Sequence, residues 1–284
     1  MDGVSTLNKL SKIIYILSFS IILFSCLYVQ SKTEGYIKVS ADHNHKIHFL
    51  LTWLPSIIGI LLILITSKPA NKFSTLIDTN VKSIKFFILL SIALILLMII
   101  TPKSIVFNLF YIYKLLLLLV IPMIFFYKEN INILKSAKKQ RLWLIPLIIC
   151  IAWYITYIIV NFNILTLHKY DIPYDYLIIG ATISFILNAV LEELFYRLWL
   201  QSRLEPLLGF LPAIFITSIL WALWHMGIQY HSNFLLTFTN VIVFHSITGI
   251  FLGLLWLKYR NIILNIFVHG LLNFPIYIVT YWFN

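Results

Sequence analysis

The stretch YDYLIIGATISFILNAVLEELFYRLWL, Tyr174–Leu200, decides the fold, because an apolar run of this length can cross a membrane. It nevertheless carries Glu192, Glu193 and Arg197 near its end. A charged side chain in hydrocarbon costs about 2.5–3.5 kcal/mol on insertion scales, so charges retained there usually serve an ion path, a proton relay or catalysis. The sequence therefore indicates that the function resides in this segment.

The positions of the other acidic residues show that Glu192 and Glu193 are unusual. There are ten, and eight of them, Glu205 included, lie near the chain start, in polar connections or at predicted helix ends. Only Glu192 and Glu193 lie well inside an apolar segment. On a helix Glu193 and Arg197 are four residues apart and can pair, whereas Glu192 points about 100° away. The pattern predicts that Glu193 is neutralised and that Glu192 stays free, at the end of a polar stripe with Asn188.

Two structural interpretations stand beside the functional one. Glu193 and Arg197 can form an ion pair that only fixes helix packing. Lys114 interrupts another apolar run, and a structural role is favoured for it, either reaching toward an interface or pairing within the bundle. Glu192 has no such partner on its own helix, which favours a function for it.

Composition assigns the chain to the membrane proteins. Of its 284 residues, 61% are hydrophobic and 11% are charged, far outside the range of soluble domains. The net charge of +11 comes mostly from Lys and Arg in short connections, where such residues orient helices, so a nucleic-acid partner is not expected. Cys26 and Cys150 lie in apolar runs and indicate neither a disulfide framework nor a zinc site.

The predicted fold is all-α, a polytopic transmembrane helix bundle of about eight or nine spanning helices. Residues 1–173 are predicted to form amino-terminal transmembrane helices of unassigned role, and residues 174–284 the functional core. The nine candidate spans are Ile13–Val29, Phe49–Thr66, Phe86–Ile100, Ile105–Tyr127, Leu142–Val160, Tyr174–Leu200, Leu211–Gln229, Phe234–Leu257 and Ile262–Trp282.

The distribution of positive charge predicts the orientation. With the amino terminus inside, fifteen Lys and Arg residues, Arg203 and Arg260 among them, fall in inner connections or at inner helix ends, and five fall outside. The amino terminus is therefore expected to be cytoplasmic, in what we expect to be a prokaryotic cell membrane.

Polar residues recur at helical spacing after Tyr174, as a shared internal cavity requires. Thr217, Trp221 and His225 share one face of the seventh predicted span, and Asn265, His269 and Asn273 share one face of the ninth. A lone intramembrane His is often only a satisfied structural residue, and His245, which has no such stripe, is interpreted as structural. Gly249 and Gly253 form a small-xxx-small pair that lets another helix approach closely.

A carboxylate, two histidines and an amide on three helices are the parts needed to activate a water against a peptide bond. The carboxylate can serve as general base, and His and Asn donors can stabilise the developing oxyanion. The residues therefore point to hydrolysis.

Three short motifs carry a family resemblance. EELFYR at Glu192–Arg197 resembles the EExxxR motif of the CAAX prenyl protease and bacteriocin-processing (CPBP or Abi) intramembrane proteases, which are type II CAAX endopeptidases. WALWH at Trp221–His225 is similar to the FxxxH motif of that family, with Trp at the aromatic position. HGLLN at His269–Asn273 resembles its HxxxN motif. The resemblance covers about Ile178 to Phe274.

The resemblance implies a role for each matching residue of an intramembrane endopeptidase. Glu192 would activate the water, and His225 would help to position it. Glu193 and Arg197 would support the first motif. His269 and Asn273 would bind the oxyanion.

The need for a metal is a separate question. Glu192, His225 and His269 would supply the three ligands of an open zinc site if the reaction uses a divalent metal. The sequence has no HExxH, in which two His ligands lie one helical turn apart. A glutamate-activated water without a cofactor is therefore favoured.

The expected partners are the lipid bilayer and a membrane-associated or lipidated peptide. A prenylated tail, a bacteriocin leader and a signalling-peptide precursor all suit this description. Two other functions remain open: a non-enzymatic immunity or scaffold protein that binds a toxin peptide or a partner helix, and a proton-coupled transporter. The latter is expected to show broken helices in related halves, and no such pairing is found.

Overall fold

The computed structural model describes residues 2–39, 45–66, 80–167, 173–230 and 233–273, and within them the chain is almost entirely helical. This confirms the predicted all-α class. The helices are α1 (Asp2–Thr33), α2 (Phe49–Thr66), α3 (Val81–Ile100), α4 (Lys103–Lys114), α5 (Ile121–Gln140), α6 (Leu144–Leu167), α7 (Tyr174–Ser184), α8 (Ser202–Leu208), α9 (Phe210–Leu223), α10 (Phe234–Tyr259) and α11 (Ile262–Asn273).

Eight helical segments of the described ranges are long and apolar enough to cross a membrane, and α11 is a shorter apolar helix. Two of these segments join helices end to end: Lys103–Gln140 contains α4 and α5, and Tyr174–Leu208 contains α7 and α8. The protein is therefore an integral membrane protein. The predicted end of the ninth span, Trp282, lies outside the described residues, and the predicted orientation stays a prediction.

The joined helices are interrupted by π-helical turns, which the sequence analysis did not predict. Leu115–Val120 lies between α4 and α5, Phe185–Val190 follows α7, and Glu193–Gln201 precedes α8. A π turn makes i→i+5 hydrogen bonds, so it adds a residue without ending the helix, and such turns are frequent at functional sites. The second and third flank Glu192.

The predicted small-residue contact is confirmed between α9 and α10. A Cβ atom on Gly249 would lie 2.8 Å from the Cβ of Ser218, and one on Gly253 would lie 2.9 Å from Cγ2 of Ile214. Only glycine leaves room for α9 this close to α10. This contact places the carboxy-terminal end of α9, which carries Trp221 and leads to His225, beside the middle of α10.

A short antiparallel hairpin follows α1, between the first two predicted spans. Its strands are β1 (Tyr36–Lys38) and β2 (Lys46–His48), and Ile37 pairs with Ile47. The Asn240 side chain on α10 accepts from the Lys38 backbone N–H at 3.0 Å and donates to the Lys38 carbonyl at 3.1 Å. The hairpin is thereby attached to α10.

Three charged residues that were expected in connections or at helix ends are buried and paired: Arg203, Glu205 and Arg260. Arg260 donates to both carboxylate oxygens of Glu205, at 3.2 and 2.6 Å. Arg203 donates to Glu129 at 3.3 Å and to Asn130 at 2.7 Å. A buried charge needs a partner of opposite sign, so these pairs connect α5, α8 and the end of α10.

The close contact at Gly249 gives a stability prediction. Gly249→Ala places a methyl group against Ser218, and overpacking of this kind typically costs about 1–3 kcal/mol of unfolding free energy. Gly180→Ala is the matched control, because a Cβ there meets nothing within 4 Å. Denaturant unfolding in mild detergent measures both, and equal stability of the two variants would contradict the packing argument.

Candidate active site

Glu192 and Glu193 are both buried, with exposed fractions of 1% and 0%. They lie where the π turn Phe185–Val190 has ended and Glu193–Gln201 begins. Neighbouring residues of a helix point in different directions, so each carboxylate faces a different group of side chains. Two adjacent anions in an apolar interior therefore each need their own donors.

The prediction that Glu192 is unpartnered was wrong. The Lys114 ammonium, at the end of α4, donates to Oε1 of Glu192. It also donates to Oδ1 of Asn188 at 2.6 Å, and Asn188 in turn donates to Ser184 Oγ at 2.8 Å. The polar stripe predicted for Asn188 and Glu192 therefore exists, Ser184 extends it, and a cation from another helix completes it. Sequence spacing on one helix could not show this partner.

Trp221 lies at the centre of the site. Its indole N–H donates to Oε2 of Glu192. The ring also contacts three histidines edge to face, with centroid distances of 5.5 Å to His225, 5.4 Å to His245 and 5.3 Å to His269. Glu192, His225 and His269, predicted to act together, are thus gathered around one indole ring.

His225 lies on a short 3-10 turn, Trp224–Gly227, that follows α9. Its Nδ1 is 3.1 Å from the Trp221 carbonyl oxygen, which can only accept, so Nδ1 carries the proton. Its ring stacks on that of His245 at 3.6 Å, and His245 Nε2 is 3.0 Å from Oε1 of Gln229. The ring of His225 is therefore held on both its edge and its face.

Glu193 is the centre of a second group of contacts. His269 Nδ1 is 2.9 Å from its Oε1, and Asn265 Nδ2 donates to its Oε2 at 3.2 Å. Arg197 Nε lies 3.7 Å from the same Oε2, as the i,i+4 spacing predicted. The Arg197 guanidinium also lies 5.3 Å from the Trp221 ring. Glu193 therefore fixes the orientation of His269.

His269 connects the two carboxylates. While Nδ1 faces Glu193, Nε2 is 3.8 Å from Oε2 of Glu192, too far for a direct hydrogen bond. Helix α11 comes this near because its Gly270 has no side chain: a Cβ there would lie 1.8 Å from the Phe185 ring. The imidazole is thus held by one carboxylate and faces the other.

Two predicted polar positions do not join this group. Thr217 donates to the carbonyls of Ala213 and Ile214 on its own helix, as threonines inside helices commonly do. Asn273 is exposed at the last described turn of α11, and no contact recorded among the described residues links it to Glu192 or His269. Its predicted role as an oxyanion donor stays a prediction.

The three candidate zinc ligands do not fit a metal ion as they are arranged. Both Glu192 oxygens accept from protein donors, one of them a cation. Across the described ranges, no group of three His, Cys, Asp or Glu side chains is placed to hold a metal. A second cation beside the Lys114 ammonium would be repelled.

Sequence reasoning did not place two residues of this site beside the carboxylates and histidines. Pairing within the bundle was one of the two roles expected of Lys114, and its partner is Glu192. His245 precedes Gly249 and Gly253 at four-residue intervals, so it lies on the face of α10 that meets α9. That spacing could have placed it near His225.

Comparison with known proteins agrees with the three motifs. Residues 174–275, just over a third of the chain, match the family model described as type II CAAX prenyl endopeptidase Rce1-like. Searches of the curated proteins and of the solved structures gave no match. The match contains all three motifs and confirms the family resemblance for this segment.

The indole hydrogen bond gives a prediction for Trp221→Phe. The change keeps an aromatic ring but leaves Oε2 of Glu192 without its donor, and a hydrogen bond to a charged group contributes about 1.5–3 kcal/mol. Trp153→Phe is the control, because Trp153 is buried and its indole N–H has no partner within the described ranges. Unfolding in detergent should show the larger loss for Trp221→Phe, and equal losses would contradict this.

Proposed function

We propose that the protein is an intramembrane endopeptidase that hydrolyses a peptide bond with a water activated by Glu192. The observation that carries the proposal is the gathering of Glu192, His225 and His269 around Trp221. Such a group provides a base and polar contacts in a site shielded from bulk water, where electrostatic stabilisation is strongest. The family match supports the same reaction class.

The reaction begins with a water beside the Glu192 carboxylate. As the water oxygen bonds to the scissile carbonyl carbon, one of its protons passes to Glu192. Collapse of the tetrahedral intermediate breaks the C–N bond, and the same proton passes to the leaving nitrogen. The products are a carboxylic acid and an amine, and Glu192 returns to its ionised form.

The other motif residues assist this reaction. His225, held through Nδ1 and by stacking, presents its remaining ring nitrogen for a hydrogen bond with the water. His269 donates to Glu193 through Nδ1, so it binds the developing oxyanion in its doubly protonated form, through the Nε2–H on the Glu192 side. Asn273, exposed one turn further along α11, contributes a second donor when substrate is bound. Glu193, which pairs with Arg197, holds His269 through its Nδ1 atom.

The location of the site supports one substrate class. The carboxylates are buried in a bundle whose outer surface is apolar, which favours a substrate that enters from the lipid over one that enters from bulk water. A membrane-associated or lipidated peptide fits this route.

The reaction requires no metal in this proposal. Purified protein treated with a strong chelator should keep its cleavage rate within about twofold, because the Lys114 ammonium already compensates Glu192. Metal content measured on the same samples completes the test. Loss of activity that is restored by one equivalent of zinc would show that the site rearranges to bind a metal.

The central test compares the membrane peptidomes of cells carrying wild type and Glu192→Gln. Loss of the base should abolish cleavage, a fall of at least about 100-fold, because Gln cannot take up a proton. Glu205→Gln is the matched control: it also weakens a buried ion pair, with Arg260, but leaves the Trp221 group intact. Thermal unfolding in detergent verifies that each variant is folded.

The result that would overturn the proposal is a folded Glu192→Gln protein with a wild-type peptidome. Loss of the same peptides in Glu205→Gln at equal stability would also count against it, because the effect would then not be specific to the base.

A second function, a non-enzymatic binding protein, is favoured by one observation. Both Glu192 oxygens already accept hydrogen bonds from the protein, as they would in a purely structural carboxylate. A binding protein needs the shape of the site but not its base. A cellular phenotype kept by Glu192→Gln and lost in His225→Ala would favour this alternative.

A further inference from the structure

Lys114 is the only partner of Glu192 among the described contacts that comes from outside residues 174–275. It is the last residue of α4, completely buried, and the family segment does not contain it. A buried ammonium is costly in hydrocarbon, so its position needs an explanation.

The ammonium group is held on several sides. An ammonium has three N–H donors, and two of these bind Oε1 of Glu192 and Oδ1 of Asn188. The nitrogen also lies 3.8 Å from the centre of the Trp224 ring, close enough for a cation–π contact. Trp224 in turn packs on His225 at 3.8 Å. Lys114 therefore contacts Glu192 of the first motif and Trp224 of the second.

The carboxylate is correspondingly fixed from two directions. Lys114 binds Oε1 and Trp221 binds Oε2, and these donors stand on different helices. Each carboxylate oxygen has two lone-pair sites, so a water can still bind Oε2 beside the indole N–H, on the side that faces His269. The arrangement selects Oε2 as the oxygen that meets the water.

We propose that Lys114 is a positioning residue of the hydrolytic reaction: it compensates the charge of Glu192 and turns Oε2 toward the water and His269. This inference rests on the proposed function. It assigns to the amino-terminal helices a direct part in the site. Two other roles for Lys114 make different predictions. If its ion pair with Glu192 only stabilises helix packing, removing the pair lowers stability and leaves kcat unchanged. If the ion pair inhibits the enzyme, removing it raises kcat.

The kinetic test uses purified Lys114→Met, Lys114→Arg and wild type. The probe is an internally quenched copy of the peptide whose cleavage depends most strongly on wild type in the peptidome comparison. Rates are expressed per folded molecule, so a loss of stability alone leaves kcat unchanged. Lys114→Met should lower kcat at least about tenfold with KM within about twofold. Lys114→Arg keeps the charge and should recover part of kcat.

Lys103→Met is the matched control, because Lys103 is the first residue of the same helix and lies over the Tyr230 ring. It should leave kcat within about twofold of wild type.

A double variant tests the pairing without any substrate. Lys114→Met alone leaves the Glu192 charge buried and unpaired, so the melting temperature should fall. Adding Glu192→Gln removes that charge, so Lys114→Met with Glu192→Gln should melt above Lys114→Met alone. A double variant that melts no higher would contradict the pairing.

The outcomes separate the two proposals. Wild-type or raised kcat in Lys114→Met, with Glu192→Gln inactive, would overturn the role of Lys114 and leave the hydrolytic function standing. An equal fall of kcat in Lys114→Met and Lys103→Met would overturn it as well. Cleavage by Glu192→Gln at the wild-type rate would instead overturn the function on which the inference rests.

Discussion

Two adjacent carboxylates buried among apolar helices are the constraint on which the rest of the structure depends. Each must be compensated where it stands, since an unpaired charge in hydrocarbon would not be tolerated. Glu192 is compensated by Lys114 from α4, and Glu193 by Arg197 on its own segment together with His269 and Asn265 from α11. These two requirements fix how α4 and α11 pack against the segment that carries Glu192 and Glu193.

The carboxy-terminal motifs could be predicted from sequence because they depend on spacing along single helices. Four-residue intervals placed Glu193 beside Arg197, and Trp221 beside His225, and the structure agrees. Contacts between helices are different, because helical periodicity says nothing about which helices adjoin. The Lys114 contact with Glu192 spans 78 residues of sequence, and no local pattern reveals it. Asn273 shows the converse, since it shares a face with His269 but lies exposed.

The predicted division between residues 1–173 and 174–284 is not a division of the site. Lys114 supplies a donor to Glu192, and Phe87 of α3 lies against Phe195 with ring centroids 5.3 Å apart. Ser91 of α3 also shares a hydrogen bond with the Tyr196 hydroxyl at 3.1 Å. Helices α3 and α4 thus form one side of the site, which agrees with polar residues that face the interior of a membrane bundle.

The π-helical turns on either side of Glu192 have an evolutionary consequence. Each behaves as a single-residue insertion accommodated within a continuous helix. A relative lacking that residue would close the turn into a regular α-helix, and the residues beyond it would keep their orientation. Alignments of this region should therefore admit gaps inside the helix, and homologues that differ by one residue there can still present the same side chains to the site.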